Sequence, residues 1–217
     1  MTAVLEELVK SPRLPAYVSQ LNDVLAKEQE RRRRFYDELT EDVTAEFING
    51  QVVMQSPATY AHSQAVKLLA KLLDTYVERH QLGWVGLEKV LICLPRNDYE
   101  PDVCFFGPAK AALLQPGQLK FPLPDFIAEV VSPATESRDR GVKFEDYAAN
   151  GVQEYWLIDP VAEEAEPCLL REGQYTSAGR IRQGELRSTV VSGFVIPVRA
   201  IFDPQVNLAT LRQLLAG

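Results

Sequence analysis

Histidine and cysteine are scarce in this chain, with two of the first and three of the second among 217 residues. With no Cys-x-x-Cys pair and so few imidazoles, a zinc site has no ligand set to draw on. Cys93, Cys104 and Cys168 are odd in number and read as reduced, half-buried strand thiols of a cytoplasmic protein. No apolar run approaches the roughly 20 residues that span a bilayer, so no membrane helix is expected. Met1 to Lys10 mixes acids with its apolar residues, and a secretory signal is not expected there. A flexible linker is also missing: 14 prolines and 12 glycines are scattered as turn signals, which points to one domain with at most an appendage. Positive charge is in deficit, 23 Lys and Arg against 30 Asp and Glu, a net of −7. That balance argues against broad adhesion to nucleic acid and leaves a local basic patch, or a cluster of acidic metal ligands, as the route to a charged substrate.

The hydrophobic fraction of 46% is ample for a packed core. A long helix is expected from Leu14 to Leu39, where Leu14, Val18, Leu21 and Leu25 fall at spacings of four and three. Its apolar stripe fades into Glu28 to Arg34. The run Arg31 to Arg34 is either a solvated face or a phosphate-contacting patch. Ala45 to Met54 reads as two strands around Asn49-Gly50, the pair preferred where both central residues of a turn need positive φ. Tyr60 to His80 resumes helical spacing, closed by Gly83. Val85 to Leu94 and Pro101 to Phe106 read as strands joined by a polar turn. Phe126 to Val131 is a short apolar strand, followed by a helix from Ser137 to Asn150 with Gly151 as its cap and by a strand from Glu154 to Ile158. Strand, crossover helix and strand in succession imply a parallel pair. Further strands are expected at Cys168 to Arg171, Gln174 to Ser177 and Leu186 to Val191, with a last helix at Leu208 to Leu215.

An acid in the middle of an apolar strand is costly unless it is paired, protonated or bound to a cation, and Glu129 stands in such a place. Asp102, after Pro101, is the candidate partner. Two carboxylates brought together from adjacent strand ends suit Mg²⁺ or Mn²⁺, which keep several waters and one or two protein oxygens. Lys143 follows in the next helix, with Asp139 and Tyr147 four residues to either side on the same face. Alone, Asp139 and Lys143 read as a surface ion pair; beside Asp102 and Glu129, the lysine can orient a water and steady phosphate charge. Glu46 alone reads as a solvent-facing strand acid, and His62 as a capping or packing residue at a helix start.

These residues sit in a pattern that resembles the Uma-two family of restriction endonucleases, a branch of the PD-(D/E)XK nuclease superfamily. Glu46-Phe47-Ile48-Asn49-Gly50, then Ser56-Pro57 and His62, is similar to the family's opening. Pro101-Asp102-Val103 matches its Pro-Asp motif. Glu129-Val130-Val131-Ser132-Pro133, Asp139, Lys143, Tyr147 and Gly151 through Pro160 resemble its central signature, and Gly184 to Phe202 resembles its closing strands. The resemblance implies an α/β fold with a restriction-endonuclease-like mixed sheet flanked by helices. It implies metal-dependent hydrolysis of DNA phosphodiesters, with Asp102 and Glu129 as Mg²⁺ or Mn²⁺ ligands and Lys143 as the catalytic lysine. Glu46 would be the acid of the first element and His62 an accessory residue. The superfamily's usual lysine position is Val131 here, so the lysine has moved to the helix.

The expected organisation is an N-terminal helical extension over 1–39 and a nuclease domain over 40–217. The alternative to an active DNA endonuclease is a nuclease-like module that holds nucleic acid or protein without cutting. Because two cuts in a duplex call for two sites, a homodimer is expected, with the extension docking on the second copy.

Overall fold

The computed structural model describes residues 3–40, 42 and 44–216. Two helices open the chain, α1 (Ala3–Lys10) and α2 (Leu14–Glu38). The hairpin β1 (Ala45–Ile48) and β2 (Gln51–Met54) precedes helix α3 (Tyr60–His80). Next come β3 (Trp84–Leu87), β4 (Leu91–Cys93), β5 (Asp98–Tyr99) and β6 (Val103–Phe106). A helical turn α4 (Pro108–Ala111) leads to β7 (Lys120–Phe121) and β8 (Phe126–Val130). Helices α5 (Glu136–Asp139) and α6 (Val142–Asn150) cross to β9 (Glu154–Asp159). The chain closes with β10 (Glu164–Arg171), β11 (Gln174–Ser177), β12 (Glu185–Arg187), β13 (Val195–Pro197) and helix α7 (Pro204–Ala216).

The strands form a six-stranded sheet in the order β11-β10-β9-β8-β6-β3, a five-stranded sheet in the order β2-β1-β5-β4-β7, and the small pair β12-β13. β8 and β9 run parallel across the α5–α6 crossover, as the strand-helix-strand succession predicts, while β6 meets β8 antiparallel. The result is a mixed α/β fold flanked by helices. Strand alternation decides what each face of the six-stranded sheet carries. Phe126, Ala128 and Val130 point with Trp156 and Ile158 into the core shared with α3 and α7. Ile127 and Val131 point the other way, into a second core with Tyr147 of α6 and with Ile92 and Tyr99 of the five-stranded sheet. Glu129, by the same alternation, faces the space between the two sheets.

Four expected elements are drawn differently, the first being the strand expected at Leu186 to Val191, of which only β12 (Glu185–Arg187) forms. Val85 to Leu94 is not one strand: Glu88 adopts a left-handed φ of 47° and its N–H donates to the Asp102 carbonyl at 3.1 Å. The turn sends β3 into one sheet and β4 into the other. The expected helix from Ser137 to Asn150 breaks before Val142, because a Cβ on Gly141 would lie 2.5 Å from the Ser137 carbonyl oxygen and the chain turns there in a way only glycine tolerates. Gln81, at φ 53°, and not Gly83, is the left-handed cap of α3. The hairpin behaves as its sequence predicts, with Asn49 at φ 49° and Gly50 at φ 79°.

The arginine run divides between two uses. Arg33 and Arg34 stand in solvent beside Glu30. Arg31 donates to the Gly50 carbonyl at 2.6 Å, and Arg32 lays its guanidinium on both oxygens of buried Asp98 at 2.7 and 2.5 Å. Glu28 binds the Arg96 fork at 2.9 Å through each oxygen. With Phe35 stacked on Phe47, these contacts dock the C-terminal turns of α2 on the five-stranded sheet. Neither the solvated face nor the phosphate patch describes Arg32, whose charge is engaged by buried Asp98, while Arg31 stays exposed beside the hairpin turn. The front of α2 is the reverse, with Val18, Leu21, Val24 and Leu25 exposed.

Candidate active site

The five acids and bases singled out by sequence meet in one place. A cleft of about 390 Å³ is lined by Glu46, His62, Asp102, Glu129 and Lys143, together with Asp139, Glu100 and Arg138. Glu129 comes from β8, Glu46 from β1 in the other sheet, Asp102 from the bend between β5 and β6, Lys143 from the first turn of α6 and His62 from the first turn of α3.

At its centre the Lys143 Nζ lies 2.8 Å from Glu46 Oε1, 2.9 Å from Glu129 Oε1 and 3.6 Å from Asp139 Oδ1. All four side chains are buried, so the expected surface pair of Asp139 and Lys143 is an interior contact, and Glu46 is no solvent-facing strand acid. Glu46 is buried because β1, a strand of the five-stranded sheet, turns it towards Lys143 of α6. Tyr147 donates to Glu129 Oε1 at 3.2 Å. The Glu100 N–H donates to Glu46 Oε1 at 3.1 Å and fixes that carboxylate.

Asp102 is held from two sides. The Val130 N–H donates to Oδ2 at 2.7 Å, and Nε2 of His62 lies 3.1 Å from Oδ1. The His62 N–H is itself satisfied by the Thr59 hydroxyl, which is the N-cap of α3. His62 therefore does not cap the helix; the cap leaves its ring free to reach Asp102. The Asp102 N–H contacts Glu129 Oε2 at 3.4 Å, which ties the Asp102 backbone to the Glu129 carboxylate.

Electrostatics follow from this crowding. Burial, opposed by Lys143 and reinforced by Asp139, Asp102 and Glu46, pushes Glu129 well above the usual carboxylate range. Burial raises Asp139 too. Burial would lower Lys143, but the facing carboxylates of Glu129, Glu46 and Asp139 outweigh it and hold the ammonium firmly charged. The hydrogen bond that the His62 ring donates to Asp102 raises His62 against the effect of burial. Glu100 is pushed up to about 7 by burial and by Glu46.

Among the described residues no three His, Cys, Asp or Glu side chains are arranged to enclose a metal ion. The donor set nonetheless fits a hard dication that takes two protein oxygens and keeps its water. Four carboxylates face one lysine and one histidine, and the charge of the other three adds to burial, the larger cause, in raising Glu129. Glu129 Oε2 is held only by the long Asp102 contact. A cation there would balance the excess.

Sequence reasoning did not single out Glu100 or Arg138. Glu100 stands two positions before Asp102, where an acid reads as turn composition, and nothing in the spacing of Arg138 marks it. Among the described residues no helix is long and apolar enough to cross a membrane.

No curated protein matches the chain. Among solved structures it is similar to the protein titled "putative nuclease belonging to DUF820" from Anabaena variabilis ATCC 29413, at a TM-score of 0.67 and 15% identity, with 82% of this chain and 96% of that one covered. That likeness concerns the fold, which is restriction-endonuclease-like. The Uma2 family model, described as "Putative restriction endonuclease", matches residues 32–199, well over half of the sequence, and the chain belongs to that family.

Proposed function

We propose that this protein is a metal-dependent endonuclease that hydrolyses phosphodiester bonds in DNA, with Asp102 and Glu129 as its cation ligands and Lys143 as its catalytic lysine. The observation that carries the reading is the buried contact of Lys143 with Glu129 beside Asp102, at the wall of an open cleft. Bound between those carboxylates, Mg²⁺ or Mn²⁺ would polarise the scissile phosphate and acidify a water. Lys143 offers the one N–H that Glu46 and Glu129 leave over to the phosphate or to the attacking water, at a point where charge develops. Glu46 and Asp139 keep Lys143 protonated and aimed, and His62 orients Asp102. The lysine thus reaches the carboxylates from α6, where the superfamily pattern has it on the strand, at Val131.

We also read residues 1–39 as an extension on a nuclease domain spanning 40–217, and the active form as a homodimer. Exposed Val4, Leu5 and Val9 on α1 and Val18, Leu21, Val24 and Leu25 on α2 support this, since α1 buries nothing and α2 buries only Glu28 and Phe35. Three free cysteines suit a reducing compartment, the cytoplasm.

Calorimetric Mn²⁺ titration, run beside plasmid cleavage, tests the reading. The parent is expected to bind Mn²⁺ and to nick supercoiled DNA, and Asp102→Asn to lose both. A parent that binds duplex DNA in Mn²⁺ and never cuts it would make the non-cutting module the correct account.

A further inference from the structure

An acidic chain that handles DNA needs cations its own carboxylates have not claimed. In the cleft, Lys143 is engaged by Glu46, Glu129 and Asp139, and His62 by Asp102. Lys89 has a partner too. Arg138 differs. It is half-buried on α5 and lines the same cleft, yet among the described residues its guanidinium has no ion-pair or hydrogen-bond partner. A half-buried guanidinium in a cleft lined by so many acids, paired with none among the described residues, is a planar fork left open to an outside anion.

A second groove of about 340 Å³ adjoins the cleft, the two sharing Glu88. Ser63, Lys67 and Lys71 line it, at steps of four along α3 and therefore on one face, beginning one residue past His62. Neither lysine has a carboxylate partner among the described residues. Asp74 and Glu88 also line the groove, which confines its positive potential to the lysine stripe.

We propose that Arg138, Lys67 and Lys71 are the phosphate contacts that seat the nucleic-acid backbone: Arg138 grips a phosphate inside the cleft, and the two lysines hold flanking phosphates in the groove along α3. This rests on the nuclease reading and adds to it the path of the strand. The three cations explain how a protein of net charge −7 engages a polyanion through a local track.

The test is fluorescence anisotropy of a labelled duplex over a salt series, with cleavage kinetics alongside. Each phosphate contact contributes about 0.9 to the slope of log affinity against log salt. Lys67→Ala with Lys71→Ala is expected to reduce that slope by nearly 2 and to weaken binding at least tenfold at low salt, with Mn²⁺ affinity and melting temperature at parental values. Arg138→Gln is expected to lower kcat/KM on the duplex at least tenfold, and Arg138→Lys to restore only part, because an ammonium lacks the fork. If the parent binds and cuts while the double lysine variant keeps its affinity and salt slope, or Arg138→Gln keeps its kcat/KM, this inference falls alone. A parent that neither binds nor cuts would instead fell the nuclease reading beneath it.

Discussion

The Lys143 Nζ lies 2.9 Å from Oε1 of Glu129, a contact that spans 14 positions of sequence and ties α6 to β8 in the interior. Glu46 from β1 and Asp139 from α5 complete the arrangement, so four segments converge on one ammonium. Charge buried this way is costly to break apart, because separating the partners leaves bare ions out of water.

The first expectation concerns Glu129. Glu129→Gln keeps an oxygen for Lys143 and Tyr147 while removing a buried negative charge from a site with three other acids. We expect nuclease activity to fall at least a hundredfold, with the melting temperature in chelator equal to the parent's or higher. A clearly lower melting temperature would mark Glu129 as a structural partner first.

Lys143→Met makes the opposite change. It strands Glu46, Glu129 and Asp139 without a cation, and removing one partner of a buried cluster typically costs about 3–5 kcal/mol. Urea denaturation at pH 7 should show a loss of that order. On the proposed mechanism cleavage should disappear while Mn²⁺ still binds, since an ammonium does not ligate a cation. Parental cleavage rates in this variant would remove Lys143 from the mechanism.

Glu154 predicts a purely structural effect. It is fully buried, and it accepts from the Trp156 indole at 2.6 Å, the Ser188 hydroxyl at 2.9 Å, the Thr189 N–H at 2.8 Å and hydroxyl at 3.0 Å, and the Val190 N–H at 3.0 Å. The carboxylate anchors the chain after β12 to β9. Glu154→Leu removes the shared acceptor and leaves the buried Trp156 indole and Ser188 hydroxyl without it, which should destabilise by about 3–5 kcal/mol, read by denaturant midpoint, with no selective change in Mn²⁺ affinity.

A pH-dependent contribution is expected from Glu166. Burial opposes it, but the Arg140 guanidinium at 2.7 Å and the Ser177 hydroxyl hold this carboxyl below its ordinary 4.5. A depressed folded-state value gives stability that is present above pH 4.5 and is lost as pH falls through the folded value. Arg140→Met should therefore melt lower than the parent at pH 7, by about 1 kcal/mol or less given the partial exposure of the pair, and the gap should close in acid. A gap that widens below pH 4 would contradict the assignment.

The exposed face of the N-terminal helices sets the last expectation. Leu21→Glu with Leu25→Glu should leave the fold intact, because neither side chain is buried, and should shift the mass in solution from dimer to monomer. Light scattering checks it, and an unchanged mass would assign the dimer contact elsewhere.

Much of this architecture is legible where local chemistry decides it. Asn49-Gly50 dictates its own turn, the apolar periodicity of Tyr60 to His80 fixes α3, and a lone acid in the Phe126 to Val131 strand draws attention to Glu129 before any partner is known. Pro-Asp and the central signature bring Asp102 and Lys143 into the same frame. What stays hidden depends on distant chain. The burial of Glu46 follows from the place of β1 in a second sheet that no local pattern announces. Strand β4 joins that sheet after a non-glycine residue, Glu88, turns left-handed, and residue type gives no hint of it. Arg31 and Arg32 look like surface charge until Asp98 and Gly50 are placed beneath them.

The docking of α2 on the five-stranded sheet has a mechanical consequence. The helix grips that sheet through Arg32 on Asp98 of β5 and through Phe35 on Phe47 of β1, and Glu46, next to Phe47 on β1, touches Lys143. Strand β1 thus carries the seat of α2 and an acid of the cleft on neighbouring residues, so loosening Phe35 from Phe47 would also loosen the strand that holds Glu46 against Lys143.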